Sequence, residues 1–185
     1  MNLLKIPYYT NSGWIIIKNL ENKFSVINIL FGKTKELQFR NGLRFNILTL
    51  LDCLVVKETI FDDAYHIYSL SNPKLIIDIG GGLGDLSIFA AKNFHKAAII
   101  AFEPDNFFYP LFKKNLIKNK ISNVKIYKCA IGSKASYDFY IQRNHVKSTL
   151  IKDDKTKWLK KTKVKGKSLN YFIKNSVDLL KIDCE

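Results

Sequence analysis

The feature that most constrains this 185-residue chain is the alternation, from Pro73 onward, of short apolar runs with longer amphipathic ones. Lys74-Leu-Ile-Ile-Asp-Ile reads as a strand buried on both faces, because its apolar residues run on without a polar break at every second position. Residues 86–94 then read as a short helix, 97–102 as a second apolar strand, 106–119 as a helix and 124–129 as a third strand. That order dictates a parallel sheet with right-handed crossovers, helices on both faces, and ligands beyond the carboxyl ends of the strands. Residues 133–165 read as loop and hairpin, with 137–141 as a strand. A helix near 168–174 and a strand over 177–182 follow.

Residues 1–72 read as a separate mixed α/β segment ahead of this domain, which spans 73–185. Gly13-Trp-Ile-Ile-Ile-Lys and Phe24-Ser-Val-Ile-Asn-Ile-Leu-Phe-Gly have the β-branched and aromatic content of short strands. Asn41-Gly42, flanked by the alternating Leu37-Gln-Phe-Arg and Leu43-Arg-Phe-Asn, predicts a hairpin with a two-residue type I′ turn. Residues 47–68 predict one or two helices, with Asp62-Asp63 capping the second.

The central motif is Asp78-Ile79-Gly80-Gly81-Gly82-Leu83-Gly84-Asp85, a glycine-rich turn between strand and helix. Glycine is needed where the backbone turns sharply and a ligand lies against it with no room for a Cβ. The dinucleotide fingerprint, Gly-x-Gly-x-x-Gly, does not fit, because counting from Gly80 and Gly82 its third glycine falls on Asp85, whose carboxylate would repel a pyrophosphate. An acid followed by Gly-x-Gly-x-Gly suits a ligand with a cationic amino-acid part, for which Asp78 is a natural acceptor. Glu103 ends the next strand and precedes Pro104. A carboxylate there can accept hydrogen bonds from both ribose hydroxyls of a nucleoside.

Asp183 and Glu185 fall at the carboxyl edge of the last strand. They are placed either to take a proton from a hydroxyl acceptor or to orient backbone and hold an ammonium group. His66, His95 and His145 have no metal-ligand spacing, and no metal is expected. His145, near Ser148, is a further candidate for a general base.

Ile76-Ile-Asp-Ile-Gly-Gly-Gly-Leu-Gly-Asp-Leu-Ser, Ile100-Ala-Phe-Glu-Pro-Asp with Lys113-Lys-Asn-Leu, and Asp178-Leu-Leu-Lys-Ile-Asp-Cys-Glu together resemble the FkbM family of methyltransferases. The resemblance spans about residues 50–185. It implies a Rossmann-like class I methyltransferase sheet and S-adenosylmethionine as cofactor, used for O-methylation of a hydroxyl on a sugar, glycan or small metabolite. By that resemblance Asp78, Gly80, Gly82 and Gly84 hold the methionine part, Glu103 the ribose, and Ala130 completes the cofactor set. Residues 144–150, with Ser148, match the family's Ser-containing segment. The family more often has Ala-Asn where this chain has Gly81-Gly82. It also continues past Lys-Ile-Asp-x-Glu with a Gly and further strands and helices. On this reading the far-edge strands are missing, the last strand leaves an exposed sheet edge, and self-association through that edge is expected.

The net charge is +14, and from Lys113 onward 19 of the 30 Lys and Arg face only 6 of the 16 acids. Such an excess would attract phosphate-rich partners. The predominance of Lys over Arg, in a chain also rich in Asn and Ile, points to diffuse surface charge. A nucleic-acid-binding or cofactor-binding remnant without activity, and an RNA methyltransferase, are the alternatives to O-methyl transfer. Cys53, Cys129 and Cys184 form no Cys-x-x-Cys and read as small core residues. No stretch reaches the roughly 18 consecutive apolar residues of a spanning helix. The start lacks a secretory signal, so the reading is a soluble, cytoplasmic protein.

Overall fold

The computed structural model describes residues 6–23, 29, 36–142, 148–151 and 156–183. It opens with helix α1, Ile6–Asn19, over the stretch in which the sequence predicts a strand from Gly13. The Ile-rich run has strand composition, but its burial has the period of a helix. Ser12, Ile16 and Leu20, four residues apart, are buried, while Trp14 and Ile17 stay exposed. Of the second expected strand only Ile29 lies among the described residues.

The hairpin forms as β1, Glu36–Gln38, and β2, Arg44–Asn46, paired antiparallel. Its turn is one residue longer than expected. Gly42 N–H donates to Phe39 C=O at 2.9 Å, Phe39 N–H to Leu43 C=O at 2.8 Å, and Gly42 alone in the loop takes a positive φ, +83°. This is a three-residue loop ending in a glycine bulge rather than a type I′ turn. Helix α2, Leu50–Ile60, starts with a capping box in which Thr49 accepts from the Asp52 N–H and Asp52 reaches back to the Thr49 N–H. The second predicted helix shrinks to a 3₁₀ turn, Ile67–Ser69, where Asp63 accepts from the N–H groups of Ile67 and Tyr68 at 2.7 and 3.3 Å.

The parallel sheet is present as read. Strands β3, Leu75–Ile79, β4, Ala98–Phe102, and β5, Val124–Tyr127, are joined by helices α3, Asp85–Asn93, and α4, Phe108–Lys118. After β5 the chain forms a second, three-stranded sheet in the order β6 (Ala130–Ile131), β8 (Lys160–Lys167), β7 (Ser136–Ile141). It then returns as β9, Leu179–Ile182, on the opposite side of β3, so the main sheet runs β5-β4-β3-β9. The reversal of strand order between β4 and β9 makes the carboxyl end of β3 a topological switch point, where a crevice opens.

Alternation along the strands sends Ile76, Ile99 and Ala101 into one core with α3 and α4. Ile77, Ile79 and Phe102 point to the other face, covered by Leu169, Phe172, Ile173 and Val177. Phe172 meets the Phe102 ring edge-on, with centroids 4.7 Å apart, and lies tilted against Tyr127 at 4.6 Å. It follows a single 3₁₀ turn, Leu169–Tyr171, where the sequence predicts a longer helix.

The apolar core of α3 and α4 also takes in Ile16, Leu37, Phe39 and Phe45 from the leading segment. The polar join is made by two asparagines one turn apart on α4. Buried Asn115 accepts from the Asn46 N–H at 2.7 Å and donates to the Leu83 C=O at 2.9 Å, and Asn119 bonds both backbone groups of Arg44. They satisfy the outer edge of β2 as a neighbouring strand would. Asn115→Ala should therefore cost roughly 2–4 kcal/mol, since it strands several buried partners at once. Urea unfolding measures it, and a loss below about 1 kcal/mol would show that water replaces the side chain.

Candidate functional site

The loop after β3 turns on three glycines with positive φ: Gly80 at +79°, Gly82 at +52° and Gly84 at +90°. They serve different ends. A Cβ on Gly84 would lie 2.2 Å from the ring of Phe112, so this glycine lets α4 pack against the loop. A Cβ on Gly82 would meet nothing within 4 Å. Its positive φ exposes backbone to a cavity of about 180 Å³ at the switch point.

Of the residues singled out in the sequence, Gly80, Gly82, Glu103, Ala130, Ser148 and Asp183 line this cavity. Asp78 and Gly84 do not. Asp78 is fully buried behind the loop, where it accepts from the Ser87 hydroxyl at 2.7 Å and lies 3.1 Å from the Lys181 ammonium. Asp78 thus stands behind the cavity wall rather than on it, because the fourth residue of β3 points into the sheet's helical face. His145 and Glu185 lie outside the described residues.

Glu103 stands at the tip of β4 with each oxygen held by one backbone donor. Gly82 N–H reaches Oε2 and Asp105 N–H reaches Oε1, both at 2.7 Å. Burial nonetheless dominates and pushes its carboxyl up to about 8, against the lowering effect of the two N–H bonds. Asp85, the first residue of α3, is buried beside Thr59, whose hydroxyl donates to it. Burial raises its carboxyl to about 6 against the pull of Lys181.

Sequence reading missed the residue that organises this edge. Lys181 is buried in β9, with its ammonium donating to the Gly80 C=O at 2.5 Å and facing Asp78 at 3.1 Å and Asp183 at 3.9 Å. Burial works to lower its pKa, but Asp78, Asp85 and Asp183 together outweigh burial and raise it. The available signal was a lone Lys inside the apolar run Leu179-Leu180-Lys181-Ile182. Tyr65 was also missed. It comes from the leading segment, lines the cavity and donates its hydroxyl to Asp183 Oδ2 at 2.9 Å. Among the described residues no His, Cys, Asp or Glu cluster could hold a metal, and no helix is long and apolar enough to cross a membrane.

Most of the residues that line this cavity fall within the domain of a known family. The methyltransferase FkbM domain matches residues 78–185. Methyltransferase 1 of Beauveria bassiana is 28% identical over 107 residues, covering 56% of this chain and 43% of that protein. Methyltransferase sdnD of Sordaria araneosa is 29% identical over 128 residues, 67% of this chain and 49% of the other. The chain thus spans about half the length of these curated relatives. Among solved structures, P. horikoshii TYW2 in complex with MeSAdo overlaps with a TM-score of 0.41 at 20% identity, over 57% of this chain and 46% of that one. The match to the FkbM domain takes in more than half of the residues, from Asp78 through Glu103 to Asp183, and the chain belongs to the FkbM-domain methyltransferases.

Proposed function

We propose that this chain binds S-adenosylmethionine at the switch point and acts in methyl transfer to a hydroxyl on a sugar, glycan or small metabolite. The observation that carries the cofactor assignment is Glu103, fixed at the strand tip by Gly82 and Asp105. Each carboxylate oxygen has one backbone donor and a second lone pair left for one hydroxyl of a vicinal pair, the pattern a ribose presents. Gly82, with open space where a Cβ would stand, lets the methionine part lie against the backbone, and Ala130 gives the nucleobase a small apolar contact. When bound, the sulfonium supplies an electrophilic methyl group.

The chain's own residues do the rest. Lys181 fixes the Gly80 carbonyl and Asp78, and so sets the loop. Asp183, oriented by the Tyr65 hydroxyl, accepts the proton of the acceptor hydroxyl. Among the described residues the cavity wall carries the acidic Asp52, Asp85, Glu103, Asp105 and Asp183 and one basic residue, Lys181. That balance favours an uncharged hydroxyl acceptor over one bearing phosphate.

Titration calorimetry with S-adenosylhomocysteine and NAD tests the assignment. The nucleoside product should bind and NAD should not, because Asp85 occupies the pyrophosphate end of the loop. Tighter binding of NAD would overturn the reading.

A further inference from the structure

Diffuse basic charge is what the composition suggests, but the second sheet puts part of it in order. Strand β8, Lys160–Lys167, alternates from Lys161 onward. Thr162, Val164 and Gly166 face inward, and Val164 packs in one cluster with the cavity-lining Phe139. Lys161, Lys163, Lys165 and Lys167 therefore project from the opposite face, and all four are exposed. Successive ammonium groups leave the strand roughly 6.8 Å apart, in a file about 20 Å long. On the neighbouring strand β7, Asp138 stands across the ladder from Lys163 and pairs at 2.9 Å with Lys161, so the ammonium groups of Lys163 and Lys165 are not within ion-pair distance of any described carboxylate. Aromatic rings stand at both ends of the file. Tyr140 lies 5.7 Å from the Lys161 ammonium and 5.6 Å from the Trp158 ring, and Tyr171, 72% exposed, lies 4.9 Å from the Lys167 ammonium.

We infer that this outer face of β8 is a binding track for an extended single strand of nucleic acid, with Lys163, Lys165 and Lys167 on successive phosphates and Tyr171 stacking a base. The repeat of the lysine file suits a backbone with one charge per unit, and the terminal rings suit flat heterocycles. A bilayer surface would call for cations spread in a plane about an inserted apolar tip rather than in single file. The track lies on the back of the sheet that walls the cavity, so it holds a partner without feeding it to the site. The inference stands apart from the methyl-transfer reading.

Fluorescence anisotropy with a labelled oligothymidylate of about fifteen residues tests it on the full chain. Binding should weaken with salt at a log–log slope of about −2, as expected for three lysine–phosphate contacts. Lys163→Gln/Lys165→Gln should lose roughly 25-fold at 0.1 M salt and cut the slope to about −0.7. Tyr171→Ala should lose at least about fivefold with the slope unchanged, since stacking releases no counterions. Urea unfolding serves as the control for folding, and its midpoint should not move in either variant. Oligonucleotide binding without salt dependence, wild-type affinity in the double variant, or tighter binding to vesicles of equimolar phosphatidylcholine and phosphatidylserine than to the oligonucleotide would each overturn the inference.

Discussion

Lys181→Met should destabilise the protein by roughly 3–5 kcal/mol at neutral pH, the cost of leaving a buried carboxylate without its cation. Lys181 is 8% exposed and Asp78 is fully buried, so water cannot take over the lost contacts. The Gly80 carbonyl loses its donor at the same time. The deficit should depend on pH. Burial, opposed by Lys181, already holds the Asp85 carboxyl at about 6 against a usual 3.8. The folded chain therefore keeps a proton that the unfolded chain gives up near pH 3.8, and the stability from this group is full below that value and lost as pH rises through about 6. Without the ammonium the carboxyl shifts higher still, so the gap between variant and wild type should widen from pH 4 to pH 7. Urea unfolding at both ends of the range reads the gap directly. Lys181→Met/Asp78→Asn should regain about half of the loss, because it removes the stranded charge as well. A gap that stays constant with pH, or lies under about 1 kcal/mol at neutrality, would show that Lys181 is a surface cation in solution.

Glu103→Ala should weaken binding of S-adenosylhomocysteine by roughly 1–3 kcal/mol, or about 5- to 150-fold, since two hydroxyls lose a charged acceptor. Here the sign of the pH dependence is informative. With the carboxyl raised to about 8 from a usual 4.5, the free protein holds this proton across the neutral range. Accepting from two hydroxyls requires the anion, so binding should release up to one proton and tighten as pH rises towards 8, then level off. Calorimetry in buffers of different ionisation enthalpy measures that release. In the unliganded protein the same shift acts on stability. Below pH 4.5 both states are protonated and the contribution is whole, and it falls as pH climbs to about 8. Glu103→Gln keeps one acceptor oxygen and removes the titration, so it should flatten both profiles. An unchanged affinity in a folded Glu103→Ala variant would take this residue out of the site.

What could be read along the chain was whatever local chemistry fixes. The unbroken apolar runs of β3 and β4, the glycines of the loop and the Glu103-Pro104 strand end pointed to a parallel sheet with a crevice at its carboxyl edge. Asn41-Gly42 marked the hairpin, because a positive φ costs other residues more. Tertiary structure decided the rest, where the cause lies far off in sequence. The Ile-rich stretch in Ile6–Asn19 is a helix because the core meets it only at every fourth residue, which overrides its strand propensity. The turn lengthened by one residue as Phe39 and Leu43 closed around Gly42. Asp78 is paired behind the loop with Lys181, which comes more than a hundred residues later and lies beside it across β3 and β9. Tyr65 joined the site because the leading segment shares its core with α3 and α4. A sequence pattern specifies which face of an element is buried. Which distant charge or ring completes that face is set only when the elements pack.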